Sequence, residues 1–297
     1  MSSTPRIAVL LAAYQGMKWI EQQVDSILAQ EAVQVSLFIS VDACSDAAQD
    51  DGTLAWCQHL SDARDNVVVL PFGERFGGAG ANFFRLLEDV DFSEFDAVSF
   101  ADQDDIWLSD KLKRAWREIS SGKCLAYSSN VMAFWPDGRE LLVRKAYPQR
   151  RYDHYFEAAG PGCTYVFHQS VAVRLQRFIR ANKALMQQVE LHDWFAYAYC
   201  REQGIPWYID EHASLMYRQH ASNQIGVNQG ARAYLSRLHK VAKKSYRKQV
   251  EALATILAPE LVTNVRSYRF RLRHALQCRR RLRDRFALLI MFLLSIY

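Results

Sequence analysis

The stretch that most restricts what this chain can fold into runs from Asp96 to Trp107. Asp96-Ala97-Val98-Ser99-Phe100-Ala101 is apolar enough to be a buried strand of an α/β sheet. It leads directly into Asp102-Gln103-Asp104-Asp105-Ile106-Trp107, which sets three carboxylates within four residues. Leu108-Ser109-Asp110-Lys111-Leu112 follows, with Ser109 as the expected cap of a helix carrying Leu112, Ala115, Trp116 and Ile119 on one face. The acidic cluster therefore falls at the carboxyl end of a strand, where open parallel sheets bind their ligands. Crowded carboxylates repel one another, and a divalent cation relieves the repulsion. The ordinary reading of such a run is a solvated acidic loop. The buried strand before it and the Ile-Trp pair after it argue against that.

The segments upstream supply the rest of such a sheet. Ile7–Ala12 is a continuous apolar run, as a central parallel strand requires, and ends in the turn Ala13-Tyr14-Gln15-Gly16. Ile20, Val24, Ile27 and Leu28 keep helical spacing, and Val35, Leu37, Ile39 and Val41 alternate up to Asp42. This βαβ opening has neither GxGxxG nor GxxxxGK[ST], which excludes a dinucleotide fingerprint and a P-loop. A helix through Leu54, Cys57 and Leu60, a strand at Val67–Leu70, and the glycine-rich run Phe76–Ala81 leading into an Asn82-Phe83-Phe84 helix complete this half. The glycines let backbone approach a ligand closely, or only shape a connection.

Downstream, Cys124–Ser128, Val131–Trp135 and Cys163–Phe167 are expected strands, and Val171–Val189 is helical in pattern. A further helix opens at Leu191-His192-Asp193-Trp194. Short strands at Trp207–Ile209 and Ser214–Tyr217 lead to Arg218-Gln219-His220. Arg139–Glu157 has no clear period and is expected to be a mobile loop near an active site.

Charge divides the chain. Residues 230–297 hold 16 Lys/Arg against 3 Asp/Glu, a balance of +13, while residues 1–229 hold 21 against 29, a balance of −8. The last segment is helix-forming and crowded with arginines, and Phe286–Tyr297 is almost wholly apolar. Twelve helical residues at ~1.5 Å each cover roughly 18 Å, short of a ~30 Å hydrocarbon core. An arginine-rich helix followed by an apolar one suits attachment to an anionic membrane surface; the alternative is a helical subdomain packed on the body or on another subunit. No nucleic-acid motif accompanies the charge, so a nucleic-acid partner is not expected. Six cysteines without a CxxC pair argue against a zinc site or a disulfide framework, and fit a reducing compartment. The expected location is cytoplasmic, peripheral on the inner face of the plasma membrane. The expected domains are 1–228, an α/β unit, and 229–297, a basic helical extension.

In their order the motifs resemble family 2 glycosyltransferases of the GT-A fold. They are the strand ending at Tyr14, the strand ending at Asp42, Asn82-Phe83 after the glycine-rich loop, Asp102-Gln103-Asp104-Asp105-Ile106-Trp107, Gly162-Cys163-Thr164, His192-Asp193-Trp194, and Tyr217-Arg218-Gln219-His220 with Asn223. Together they are similar to the bacterial rhamnosyltransferase-type subgroup that builds cell-surface polysaccharides. The resemblance covers roughly residues 6–226.

The resemblance implies a mostly parallel central sheet flanked by helices. It also implies a metal-dependent, inverting transfer from a nucleotide sugar, with dTDP-L-rhamnose the expected donor, to a surface glycan or its lipid-linked precursor. A Mg²⁺ or Mn²⁺ ion would be held by Asp104, Asp102 and His220. The donor nucleotide would be bound by Ala13, Tyr14, Asp42, Asn82, Asp102, Gln103 and Arg218, with Asp42 on the base. Asp193 would be the general base, with His192, Trp194 and Trp107 on the acceptor side. Gln15 and Ala43-Cys44 depart from the family's usual residues beside Tyr14 and Asp42, which bears on nucleotide preference. Other readings are the same fold with a UDP-hexose or UDP-N-acetylhexosamine donor, a sugar-phosphate nucleotidylyltransferase, and a non-catalytic membrane adaptor. The second lacks its basic glycine-rich loop. The intact Asp102, Asp104 and Asp193 argue against the third.

Overall fold

The computed structural model describes residues 4–46, 50–220 and 245–295. The first half follows the apolar runs: β1 (Arg6–Ala13), α1 (Ile20–Leu28), β2 (Gln34–Val41), α2 (Thr53–Ala63), β3 (Val67–Val69), α3 (Ala79–Asp89) and β4 (Ala97–Ala101). The short β5 (Ile106–Trp107), α4 (Lys111–Ser120), β6 (Ala126–Phe134), β7 (Glu140–Val143) and α5 (Asp153–Phe156) come next. Then follow β8 (Val166–His168), α6 (Gln169–Ala181), α7 (Lys183–Met186), α8 (His192–Glu202) and the long β9 (Trp207–Arg218). Four C-terminal helices are α9 (Ser245–Leu257), α10 (Val262–Arg266), α11 (Tyr268–His274) and α12 (Leu282–Leu293).

The strands form one sheet in the order β3-β2-β1-β4-β8-β6-β9-β5, with β7 on β6. The β3-β2-β1-β4 half is parallel, with Leu10 opposite both Phe38 and Phe100. In the other half β4-β8, β8-β6, β9-β5 and β6-β7 are antiparallel, and β6-β9 is parallel with a bulge near Asn130. The sheet is therefore mixed, not mostly parallel. An apolar run announces a buried strand but carries no direction; in the first half each successive strand is joined by a crossover helix and all pairs are parallel, whereas in the second half only β6 and β9, separated by α5–α8, pair in parallel.

Both faces are covered, as the continuous apolar runs require. Ala8, Leu10, Val98 and Phe100 belong to one apolar cluster, and Ile7, Val9, Leu11, Ala97 and Ala101 to the other. The first cluster continues into α9–α12 through Val250, Leu253, Val265, Cys278, Leu288 and Phe292. The described part of the basic extension thus shares the main core. The expected boundary at residue 228 lies outside the described residues.

Three local expectations are corrected. Ser109 does not cap α4; its hydroxyl donates to Glu31 Oε1 at 2.8 Å, and the helix starts two residues later. Cys124–Trp135 and Trp207–Tyr217 each hold one long strand where two short ones were expected. Arg139–Glu157 is not an unstructured loop: it contains β7 and α5, and all four residues of α5 are buried. Asp153 at the start of α5 is held by Arg201 and Arg280, partners 48 and 127 residues away that no local pattern reveals.

Candidate active site

The parallel strands β1, β2 and β4 end together, and their carboxyl ends carry the first loop, Asp42 and the acidic cluster. Gln103 ties two of these together. Its amide donates to the Tyr14 carbonyl and accepts from the Tyr14 amide, both at 2.8 Å. Gly16 is needed beneath it, because a Cβ there would collide with the Gln103 carboxamide. Tyr14 itself stays well exposed at the mouth of the site.

Asp42 accepts from the backbone amides of Phe76 (2.6 Å) and Gly77 (2.9 Å), so its carboxylate orders the glycine-rich loop. It also lines a cavity of about 200 Å³ with Gln15, Val41, Cys44, Asp51 and Phe72. Asn82 is buried and donates to the carbonyls of Ser40 (2.9 Å) and Ala13 (3.4 Å), pinning the ends of β2 and β1. The glycine-rich run serves helix packing as well. A Cβ at Gly80 would strike the Glu190 carbonyl, so α3 can approach the residues that open α8 only with glycine there.

The acidic loop is crowded. Asp105 is fully buried; one oxygen accepts from the Arg218 amide at 3.1 Å and the other has no hydrogen-bond partner. Single ligand atoms of Asp102, Asp105 and Cys163 lie within 4.8 Å of one another. Burial, then the charges of Asp104 and Asp193, push the Asp102 carboxyl up to about 7. Burial, then Asp104 and Asp102, hold Asp105 well above the usual carboxylate range. Asp104 contacts His220, with Nε2 to Oδ2 at 2.7 Å, and the His220 ring stacks on Trp19 at 4.0 Å. Arg218 donates to the Asp104 carbonyl (2.8 Å) and to Gln22 Oε1 (2.6 Å), which clamps the loop from outside.

Asp193 is the second residue of α8, and its Oδ1 accepts from the Trp194 amide at 2.7 Å. Burial pushes its carboxyl up to about 6, although the Trp194 amide and then Lys145 pull the other way. Asp193 and His192 pack against Gly162, where a Cβ would sit 3.0 Å from Asp193 Cβ and 2.8 Å from His192 Nε2, and the Asp193 charge is felt at Asp102. His192, Trp194 and Trp107 are packing residues. His192 stacks on Phe83 at 3.8 Å and burial lowers its imidazole to about 3. Trp194 Nε1 donates to the His154 carbonyl at 2.9 Å, and Trp107 lies in the core under the Lys111 ammonium.

Three residues around the site escaped the sequence reading. Lys111 is wholly buried beneath the cluster, 3.3 Å from Ser99 Oγ; burial lowers its ammonium to about 7, against the pull of Cys163 and Asp105. Its place at helical spacing with Ala115 and Ile119, on the apolar face of α4, was the available signal. Lys145, half-buried beside Asp193, and Arg280 carried no such signal.

Comparisons with known proteins agree with this architecture. Residues 5–132 match the family described as "Glycosyltransferase like family 2". The chain is 41% identical over 294 residues to the dTDP-rhamnosyl transferase RfbG of Shigella flexneri, covering 97% of this chain and 100% of that one. Among solved structures it resembles S. aureus TarS 1-349 in complex with UDP-GlcNAc (TM-score 0.55, 13% identity, 98% of this chain and 80% of that one). It also resembles the mannosyltransferase PcManGT from Pyrobaculum calidifontis in complex with GDP-Man and Mn2+ (TM-score 0.56, 16% identity, 100% and 82%). Those two likenesses show the shared fold. The end-to-end match at 41% identity shows the family, and this chain belongs to the family 2 glycosyltransferases.

Proposed function

We propose that this glycosyltransferase moves L-rhamnose from dTDP-L-rhamnose, with inversion, to a hydroxyl of a surface polysaccharide or its lipid-linked precursor, at the inner face of an anionic membrane. The observation that carries the reading is that Asp193, 91 residues beyond Asp102, packs against Gly162, whose neighbour Cys163 belongs to the acidic cluster, and that the Asp193 charge is felt at Asp102. The likeness to the rhamnosyl transferase supports the donor.

A divalent cation fits the cluster. Asp105 has a buried oxygen without a partner, and Asp102 is pushed up by burial and then by the charges of Asp104 and Asp193, so negative charge there is under-compensated. The Cys163 thiol is held far above its ordinary pKa by burial and by Asp105 and Asp102, and a thiol is a poor ligand for a hard cation. The family resemblance assigns Mg²⁺ or Mn²⁺ to Asp102 and Asp104, with His220 beside Asp104, and the unpartnered Asp105 oxygen next to Asp102 is a further oxygen donor at the same place. Held by these residues, such an ion would supply positive charge to the departing nucleoside diphosphate.

The protein's own residues do the rest. Ala13, Tyr14, Asp42 and Asn82, with Gln103, fix the loops around the nucleotide, and Arg218 holds the acidic loop in place. Asp193 takes the acceptor hydroxyl proton as that oxygen attacks the anomeric carbon. A carboxyl near 6 is ionised at neutral pH yet basic enough to share a proton in the transition state. His192 and Trp194 hold Asp193 in register, and Trp107 backs the acidic loop.

The test is nucleotide release from a panel of dTDP-L-rhamnose, UDP-galactose and UDP-N-acetylglucosamine with Mn²⁺. Turnover highest on dTDP-L-rhamnose is expected. Preference for a UDP-sugar would overturn the donor, and no turnover on any sugar would overturn the catalytic reading.

A further inference from the structure

Helix α12 is apolar on two opposite sides. Leu288 and Phe292 face inward and are buried, with Phe292 under the Arg271 guanidinium and against Phe156. On the other side Leu282, Phe286, Ile290 and Leu293 recur at helical spacing and are 60%, 51%, 56% and 53% exposed. Leu294 continues the stripe, and Tyr268 of α11 joins its end through a hydrogen bond from its hydroxyl to the Leu293 carbonyl at 3.4 Å. A contiguous apolar stripe of this kind on a folded surface marks a place where water is excluded in use. A helix apolar all round is ordinarily covered all round.

The charges beside the stripe select what covers it. Arg281 and Arg283 are exposed and bracket Leu282 at the start of α12; Arg269 and Arg273 are exposed on α11. A second copy of the chain meeting the stripe about a two-fold axis would bring these arginines against one another. An anionic bilayer meets both features at once, with acyl chains for the stripe and headgroup phosphates for the arginines. Twelve residues at ~1.5 Å reach only about 18 Å, so the helix lies in the interface and does not cross. Among the described residues no helix is long and apolar enough to cross a membrane.

We propose that the outer face of α12 is the membrane-docking surface, lying flat in an anionic leaflet with Phe286 and Ile290 inserted and Arg281 and Arg283 on the phosphates. This deepens the membrane part of the function proposed above and does not depend on the donor. The enzyme remains bound through its folded body, because the inner side of the same helix is part of the core.

The experiment is co-sedimentation of the full chain with phosphatidylcholine vesicles, with and without phosphatidylglycerol. The wild type is expected to pellet with the anionic vesicles. F286S/I290S removes two inserted side chains and is expected to weaken partitioning by about tenfold or more. R281Q/R283Q is expected to weaken it roughly tenfold to thirtyfold on anionic vesicles only. All four positions are exposed, so both variants should fold and keep wild-type donor turnover in vesicle-free solution, an assay that reports the catalytic reading separately. A wild type that stays in the supernatant, variants that pellet like the wild type, or a dimer that F286S/I290S dissociates would overturn the proposal.

Discussion

Replacing Arg280 with Met tests whether the C-terminal helices are a working part of the body. The Arg280 side chain is 1% exposed, and its Nη1 lies 3.2 Å from Asp153 Oδ2. Its Nη2 donates to the carbonyls of Ala158 (2.7 Å) and Ala159 (3.2 Å), the segment leading to Gly162 and so to Asp193. Breaking a buried ion pair by removing one partner costs about 3–5 kcal/mol, mostly for the charge left behind. Here Asp153 keeps Arg201 Nη1 at 2.8 Å and the Tyr197 hydroxyl at 2.8 Å, which places the loss near the lower end, about 3 kcal/mol. With a urea m-value of about 2–3 kcal/mol/M, the unfolding midpoint should fall by about 1 M. R281M, one residue away on the surface, should change stability by less than about 0.5 kcal/mol.

The same pair carries a pH signature. Burial alone would raise the Asp153 carboxyl, but His154, then Arg280 and Arg201, hold it down at about 2. A lowered pKa gives stability that is full above the unfolded value near ~3.9 and is lost as pH falls toward 2. The gap between wild type and R280M should therefore be widest above pH ~4 and close in acid. Equal midpoints for R280M and R281M at neutral pH would refute the docking argument.

The remaining predictions concern the site. D193N should lower transfer by about 10²–10⁴-fold with dTDP binding kept, and the wild-type rate should fall as pH drops through about 6; loss of binding would refute the base role. Mn²⁺ should raise Tm more at pH 8 than at pH 6. Asp102, pushed up to about 7, favours the fold while protonated and loses that contribution as pH rises through 7, and the metal needs the ionised form. Equal shifts at the two pH values would count against Asp102 as a ligand. G80A should cost about 1–3 kcal/mol by overpacking against the Glu190 carbonyl and lower kcat by displacing the start of α8; unchanged stability would show that the close approach is dispensable.

What the sequence discloses here is set by range. The βαβ opening, Asp42 and the acidic cluster are legible because strand, turn and helix signals sit within a few residues of one another. Ser109 misled because the helix begins at Lys111 with Asp110 as its N-cap, so Ser109 sits one position too early to accept from the first turn, and its hydroxyl is oriented by Glu31, 78 residues away in sequence. The 139–157 segment looked unstructured because its order comes from Asp153 meeting Arg201 and Arg280. The mixed half of the sheet has the same origin, since pairing direction depends on where the chain returns. Lys111 was readable, as a cation on an otherwise apolar helix face.

The charge asymmetry shows how far a composition argument goes. An excess of +13 after residue 229 suggested a tail meant for an anionic partner. Part of that charge is consumed inside the molecule. Arg280 and Arg279 approach Asp153 and Glu157 of the main body, and Arg285 is turned inward to donate to the carbonyls of Arg279 and Arg280. The arginines that face outward include Arg269, Arg273, Arg281 and Arg283, beside the apolar stripe. Deleting the whole segment from Arg266 onward would therefore remove the Arg280 anchor together with the outward face. Lost vesicle binding would then follow from unfolding as readily as from lost docking. Substitutions confined to Arg281, Arg283, Phe286 and Ile290 separate the two, because they leave every inward contact of Arg280, Leu288 and Phe292 in place.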